Sequence, residues 1–224
     1  MRLADLITMS PNVILMLPRF GISMGFGEAT VDEICRKNKV STEFFLLVCN
    51  VYSFDDYVPT IQEIEQTDLS QLLSYLTASH RYYQESRLPH IETHLQHLAD
   101  QAGRFGSVLL KFYADYKADL HKHFMYEEQV AFPYIKSRCD GAGGSSYKIA
   151  DYARSHSNVE DKLNDLIQII FKYLPAMMMI DETIEMVFDI LQFSADLNKH
   201  SVIEDKILIP YVALVEERQK KVSK

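Results

Sequence analysis

His123 and Glu127 stand four residues apart in "HFMYEEQVAFPYI", and His200 and Glu204 stand four apart in "HSVIEDKILIPYV". Each pair runs on to a Pro-Tyr step, Pro133-Tyr134 and Pro210-Tyr211. Imidazole and carboxylate are ligands for transition metals, and on a helix an i,i+4 spacing puts both on one face. His80 precedes His123 by 43 residues and His156 precedes His200 by 44. The chain therefore reads as two halves of one layout, a lone His followed by His-x-x-x-Glu on the returning helix. The six groups His80, His123, Glu127, His156, His200 and Glu204 exceed the four positions of a structural zinc. They suit two adjacent metals bridged by the two glutamates, and imidazole with carboxylate in high coordination favours iron or manganese.

The competing reading of each pair is a surface i,i+4 contact, worth only a few tenths of a kcal/mol. Repetition of the downstream acid, apolar triplet and Pro-Tyr favours the metal reading. That reading also requires apolar surroundings, which Phe124, Val130, Phe132, Ile207 and Ile209 are placed to supply. Other polar residues nearby have weaker claims. His90, His94 and His97 follow Pro89, and any one of them is a candidate for a further ligand. His121 falls on the wrong face of its helix to join His123. Glu128 and Asp205 adjoin the candidate bridges and should face away. Glu160 follows His156 by four, as a supporting residue or a solvated one. Tyr82, Tyr83 and Tyr126 are candidate hydrogen-bond donors to ligand carboxylates. The "MMM" run at 177–179 reads as packing at a loop end.

Positioning these groups requires long helices. Leucines at helical spacing predict one helix from Asp68 to about Asp100, kinked at Pro89. Gly103 and Gly106 break the pattern. A second helix is expected from about Ser107 to Lys136. A third should run from about Tyr147 to Phe171 after the "CDGAGGSS" loop, and a fourth from about Glu182 to Glu217. No alternating strand pattern is present. The fold class expected is all-α, an antiparallel four-helix bundle over 68–218. Residues 1–60 read as a separate small helical domain, with Ser41 capping an apolar helix and 55–68 as an acidic linker. Its apolar faces, "NVILMLPRF" and "EFFLLVCNVY", are large for so short a unit and predict packing on the bundle or on a second copy, a homodimer.

Composition sets limits. The net charge of −8 argues against a nucleic-acid surface and against anionic membranes. No apolar run reaches the roughly 18–20 residues that span a bilayer. The N-terminus makes a poor signal peptide, and three widely spaced cysteines form neither a disulfide framework nor a CxxC site, so a cytoplasmic location is expected.

The two repeats resemble the paired H-x-x-x-E…(F/I)P signatures of hemerythrin-like domains. Within that family the chain is most similar to the repair-of-iron-centres proteins, which restore iron–sulfur clusters. "HRYYQESRLP" resembles their first-helix His and "SHSNVEDKL" their third-helix His, so the resemblance covers about residues 68–215. It implies an oxo-bridged centre of two iron ions, with His80, His123, Glu127, His156, His200 and Glu204 as ligands, Glu127 and Glu204 bridging. The fifth histidine implied by the family matches His97 best and His94 next. Also implied are reactivity toward oxygen and nitric oxide and, as partners, damaged iron–sulfur proteins. The alternative roles are an oxygen or nitric oxide sensor and an iron store. Residues 1–55 resemble the subgroup's N-terminal helical domain with one departure. Where that domain commonly carries a Cys-Cys-Gly-Gly turn, this chain has Ser23, Met24, Gly25 and Phe26.

Overall fold

In a computed structural model of the 224-residue chain, the described residues are 1–139, 149, 152, 159–174 and 180–222. The fold is an all-α helical bundle; the only β pairing among these residues is an isolated bridge between Arg2 and Thr30. No helix among them is long and apolar enough to cross a membrane.

The first long helical run begins at α5 (Leu69–Tyr82), passes through a π turn at Tyr83–Arg87 and continues as α6 (Leu88–Ala102). The second begins at α7 (Arg104–Tyr126), passes through a π turn at Glu127–Ala131 and ends in α8 (Phe132–Cys139). The described part of the third is α9 (Val159–Tyr173). The fourth is α10 (Ile180–Ile203), a π turn at Glu204–Leu208 and α11 (Ile209–Val222). The loop at 140–146, the expected start of the third helix, His156 and Met177 to Met179 lie outside the described residues.

Pro89, where the sequence suggests a kink, is one of three prolines placed alike. Pro89, Pro133 and Pro210 each follow a π turn by two residues. Proline has no N–H to give and clashes with the carbonyl four residues back. That carbonyl falls at Glu85, Gln129 and Lys206, inside each π turn, where the i→i+5 pattern accommodates it without ending the helix.

The chain divides into two compact units. One comprises Met1–Ser79, Phe132–Ala153 and Lys199–Lys224. In it, α1 (Leu3–Met9), a 3₁₀ helix (Pro11–Phe20), α2 (Val31–Lys37) and α3 (Thr42–Ser53) pack around Val13, Met16, Phe44, Phe45 and Val48, all at most 1% exposed. Ser41 caps α3 as expected, accepting from the Phe44 N–H. The stretch read as an acidic linker holds a further helix, α4 (Ile61–Glu65), started by a Thr60/Glu63 capping box. The Thr-x-x-Glu spacing is its sequence signature. Arg218 of α11 pairs with Glu65 at 2.5 Å, and Lys199 pairs with Asp55 at 2.7 Å. Arg19, buried, donates to Tyr52 Oη and lies 5.9 Å from the ring centroids of Tyr52 and Tyr75. Cys35 and Cys49 are buried, and burial pushes both thiols up, Cys35 to about 11. Neither is poised as a thiolate ligand.

The other unit comprises His80–Ala131 and Arg154–Asn198. Its core draws Leu88, Ile91 and Leu95 from α6, Leu109, Tyr113 and Leu120 from α7, Leu163 and Leu166 from α9, and Ile190 and Phe193 from α10. Gly103 turns the chain between α6 and α7 with φ 55°, as the sequence suggests. Gly106 does not break the helix; it lies inside α7, where a Cβ would stand 2.3 Å from the Ala99 carbonyl oxygen of α6. The glycine exists for close approach of two backbones.

Candidate metal centre

His80 lies on α5 three residues before a π turn, His123 on α7, and Glu127 opens the π turn that follows. His80 and Glu127 are fully buried, and His123 is 12% exposed. The two oxygens of Glu127 face different imidazoles. Oε2 is 3.2 Å from His80 Nε2, and Oε1 is 3.1 Å from His123 Nε2. His80 Nδ1 donates to Glu128 Oε1 at 2.8 Å. With Nδ1 carrying its proton, the Nε2 of a neutral His80 presents a lone pair to a carboxylate oxygen. Two electron-rich atoms held at that distance require a cation, a proton or a metal ion, between them. Ligands at 2.0–2.2 Å from one ion stand about 3 Å apart in octahedral and about 3.4 Å apart in tetrahedral geometry, so the separations suit a shared metal.

The second His-x-x-x-Glu repeats the pattern at the end of α10. His200 is 1% exposed and Glu204 fully buried, with His200 Nε2 3.5 Å from Glu204 Oε1. Tyr152 donates to the same Oε1 at 3.1 Å. His80 with Glu127 in one unit, and His200 with Glu204 in the other, are buried imidazole–carboxylate sets that could serve as metal ligands. Buried carboxylates are costly unless neutralised by partners or a metal. A donor set of imidazoles and carboxylates fits one or two transition-metal cations.

The surroundings are apolar, with two corrections. Phe124 stacks on the His80 ring at 4.1 Å, and Phe124, Phe132 and Ile207 are buried. Val130, however, is 44% exposed, and Ile209 is only half-buried. The second correction is Glu128. Expected to face away, it instead holds His80 Nδ1, because a π turn carries more residues per turn and swings neighbouring side chains closer in direction. Asp205 is exposed, as expected. Tyr83 donates to the Asp196 carbonyl at 3.2 Å. Tyr152 was not foreseen, although its position four before His156 is a usable signal.

His97 is exposed, seventeen residues beyond His80 along the same helical run. At 1.5 Å per residue that is about 25 Å, so one centre cannot take both. His94 and His90 stand about 21 and 15 Å beyond His80 by the same rise, and they meet Asp189 of α10 instead. The expectation of a fifth histidine here fails because the rise of the helical run separates residues that a linear reading places near one another.

The family model for the hemerythrin HHE cation binding domain matches residues 71–212, well over half of the chain. The chain belongs to this family. The matched hemerythrin segment contains both His-x-x-x-Glu repeats, all three π turns and the buried His/Glu sets. Comparison with curated proteins finds no match. In this hemerythrin domain Glu128 accepts from Nδ1 of His80 and so fixes the tautomer and ring angle of that histidine, the support that metal-ligating histidines commonly have. Glu128→Ala should therefore weaken metal retention by about 10–100-fold, with Glu128→Gln in between, because it still accepts a hydrogen bond. Chelator competition checks this; equal retention in all three proteins would remove Glu128 from the site.

Proposed function

We propose that the chain is a non-haem di-iron protein that takes part in the repair of iron–sulfur clusters damaged by oxidative or nitrosative stress, through iron supply or nitric oxide handling. His80, His123, His156 and His200 would hold two irons, with Glu127 and Glu204 bridging them. The observation that carries the reading is Glu127, whose two oxygens each face a separate imidazole, as a carboxylate serving two ions must. Iron with an open coordination position supplies one-electron chemistry and binding of diatomic molecules. The chain's own groups supply the setting. Phe124 covers the His80 ring, Glu128 keeps the His80 proton on Nδ1, and Tyr152 holds Glu204.

A sensing role is the second reading, and one contact favours it. Lys199, next to ligand candidate His200, binds Asp55 in the segment that follows α3. One experiment separates the two. Reduced, anaerobic protein is exposed to nitric oxide and then mixed with an enzyme whose iron–sulfur cluster has been damaged. Restored enzyme activity is the expected result. Nitric oxide binding without restoration would favour sensing, and no reaction with either gas would overturn both.

A further inference from the structure

The histidines that the buried sets leave out carry their own arrangement. His90 and His94 lie one turn apart on α6, facing Asp189 of α10. Their rings meet edge-on with centroids 4.7 Å apart. His90 Nε2 is 2.9 Å from Asp189 Oδ2, and His94 Nε2 is 3.8 Å from the same oxygen. The second distance is too long for a hydrogen bond. Both distances bracket the separation of about 3.4 Å between two ligands of one tetrahedral ion at 2.0–2.1 Å. The other carboxylate oxygen, Oδ1, accepts from Arg87 Nη2 at 3.3 Å, and the same nitrogen donates to the Asp189 carbonyl at 3.4 Å. Arg87 thus anchors the carboxylate and leaves Oδ2 to the imidazoles, the outer support that metal ligands commonly have. The side chains are 49%, 30% and 21% exposed for His90, His94 and Asp189, so water can reach a fourth position.

We propose that His90, His94 and Asp189 form a second, surface site for a late first-row divalent cation such as Zn²⁺, separate from the buried sets. Two imidazoles and one carboxylate make a three-ligand set typical of zinc with an open position. A carboxylate-only pocket would suit calcium or magnesium; two imidazoles turn the preference toward zinc, nickel or copper. A bound ion would also tie α6 to α10 and raise the melting temperature as the free Zn²⁺ concentration rises above the dissociation constant.

The test uses the full chain with its buried site loaded with iron, titrated with Zn²⁺ against a chromogenic chelator. The wild type should take up one zinc more than the His90→Gln/His94→Gln double variant. Each single variant, including Asp189→Asn, should bind at least about tenfold more weakly, since losing a ligand costs no less than losing its support. Iron content should be unchanged in all of them, and the zinc-free melting temperature unchanged in the His90→Gln and His94→Gln variants. A measurement without variants is protection of His90 and His94 from imidazole-modifying reagent by Zn²⁺. Equal zinc uptake by the wild type and the double variant, full affinity in Asp189→Asn, or no protection of the two rings would each overturn the proposal.

Discussion

Glu127→Ala should abolish binding of both metals while leaving the helical fold intact. The two oxygens of this side chain serve His80 and His123 separately, so removing it opens both half-sites at once. The effect on stability should have opposite signs in the two states. The metal-free wild type keeps a fully buried carboxylate whose charge favours a cation. Metal-free Glu127→Ala should thus melt no lower than metal-free wild type. The metal-loaded wild type should melt well above both, by the linkage that any ligand of the native state contributes. Glu204→Ala should behave alike. Metal analysis, near-ultraviolet charge-transfer absorption and thermal melts check this. A single variant with full iron and a full spectrum would show that the glutamates do not bridge.

Gly106→Ala should be among the most damaging single-atom additions in the chain. The added Cβ would stand 2.3 to 2.7 Å from the backbone O, Cα and C of Ala99. No side chain can rotate away, so α6 and α7 must separate along a hairpin whose core includes Leu95, Leu98, Leu109 and Tyr113. Overpacking of this kind costs roughly 3 kcal/mol, the upper end of the usual range. For a chain of this size that lowers the melting temperature by roughly 6–12 °C. A thermal melt of the variant decides it, and an unchanged midpoint would mean that the two helices are not in close contact at this point.

Much of the bundle was legible in the sequence because helix period, proline and glycine act locally. The first long helix, expected from Asp68 to Asp100, runs from Leu69 to Ala102, and the fourth, expected from Glu182 to Glu217, runs from Ile180 to Val222. The His-x-x-x-Glu pairs were legible for the same reason, since a four-residue spacing fixes a shared face. What escaped depends on contacts between elements. Glu128 reaches His80 because a π turn redirects it, and no propensity marks a π turn except the proline two residues beyond. Gly106 reads as a breaker until the facing backbone of Ala99 is seen. Histidines 90 and 94 look like spare ligands for the main centre until the rise of the helix separates them from His80, and Asp189 is then found against them. Tyr152 is invisible as a donor until the π turn after α10 sets Glu204 beside it.

A pair of irons held by two histidine–glutamate repeats would be counted in the metal content of protein purified without oxygen, compared with that of Glu127→Ala and Glu204→Ala. About two irons per chain are expected in the wild type if six ligands with two bridging carboxylates hold them, and almost none in either variant. Wild-type protein without iron, or variants that keep it in full, would contradict this expectation.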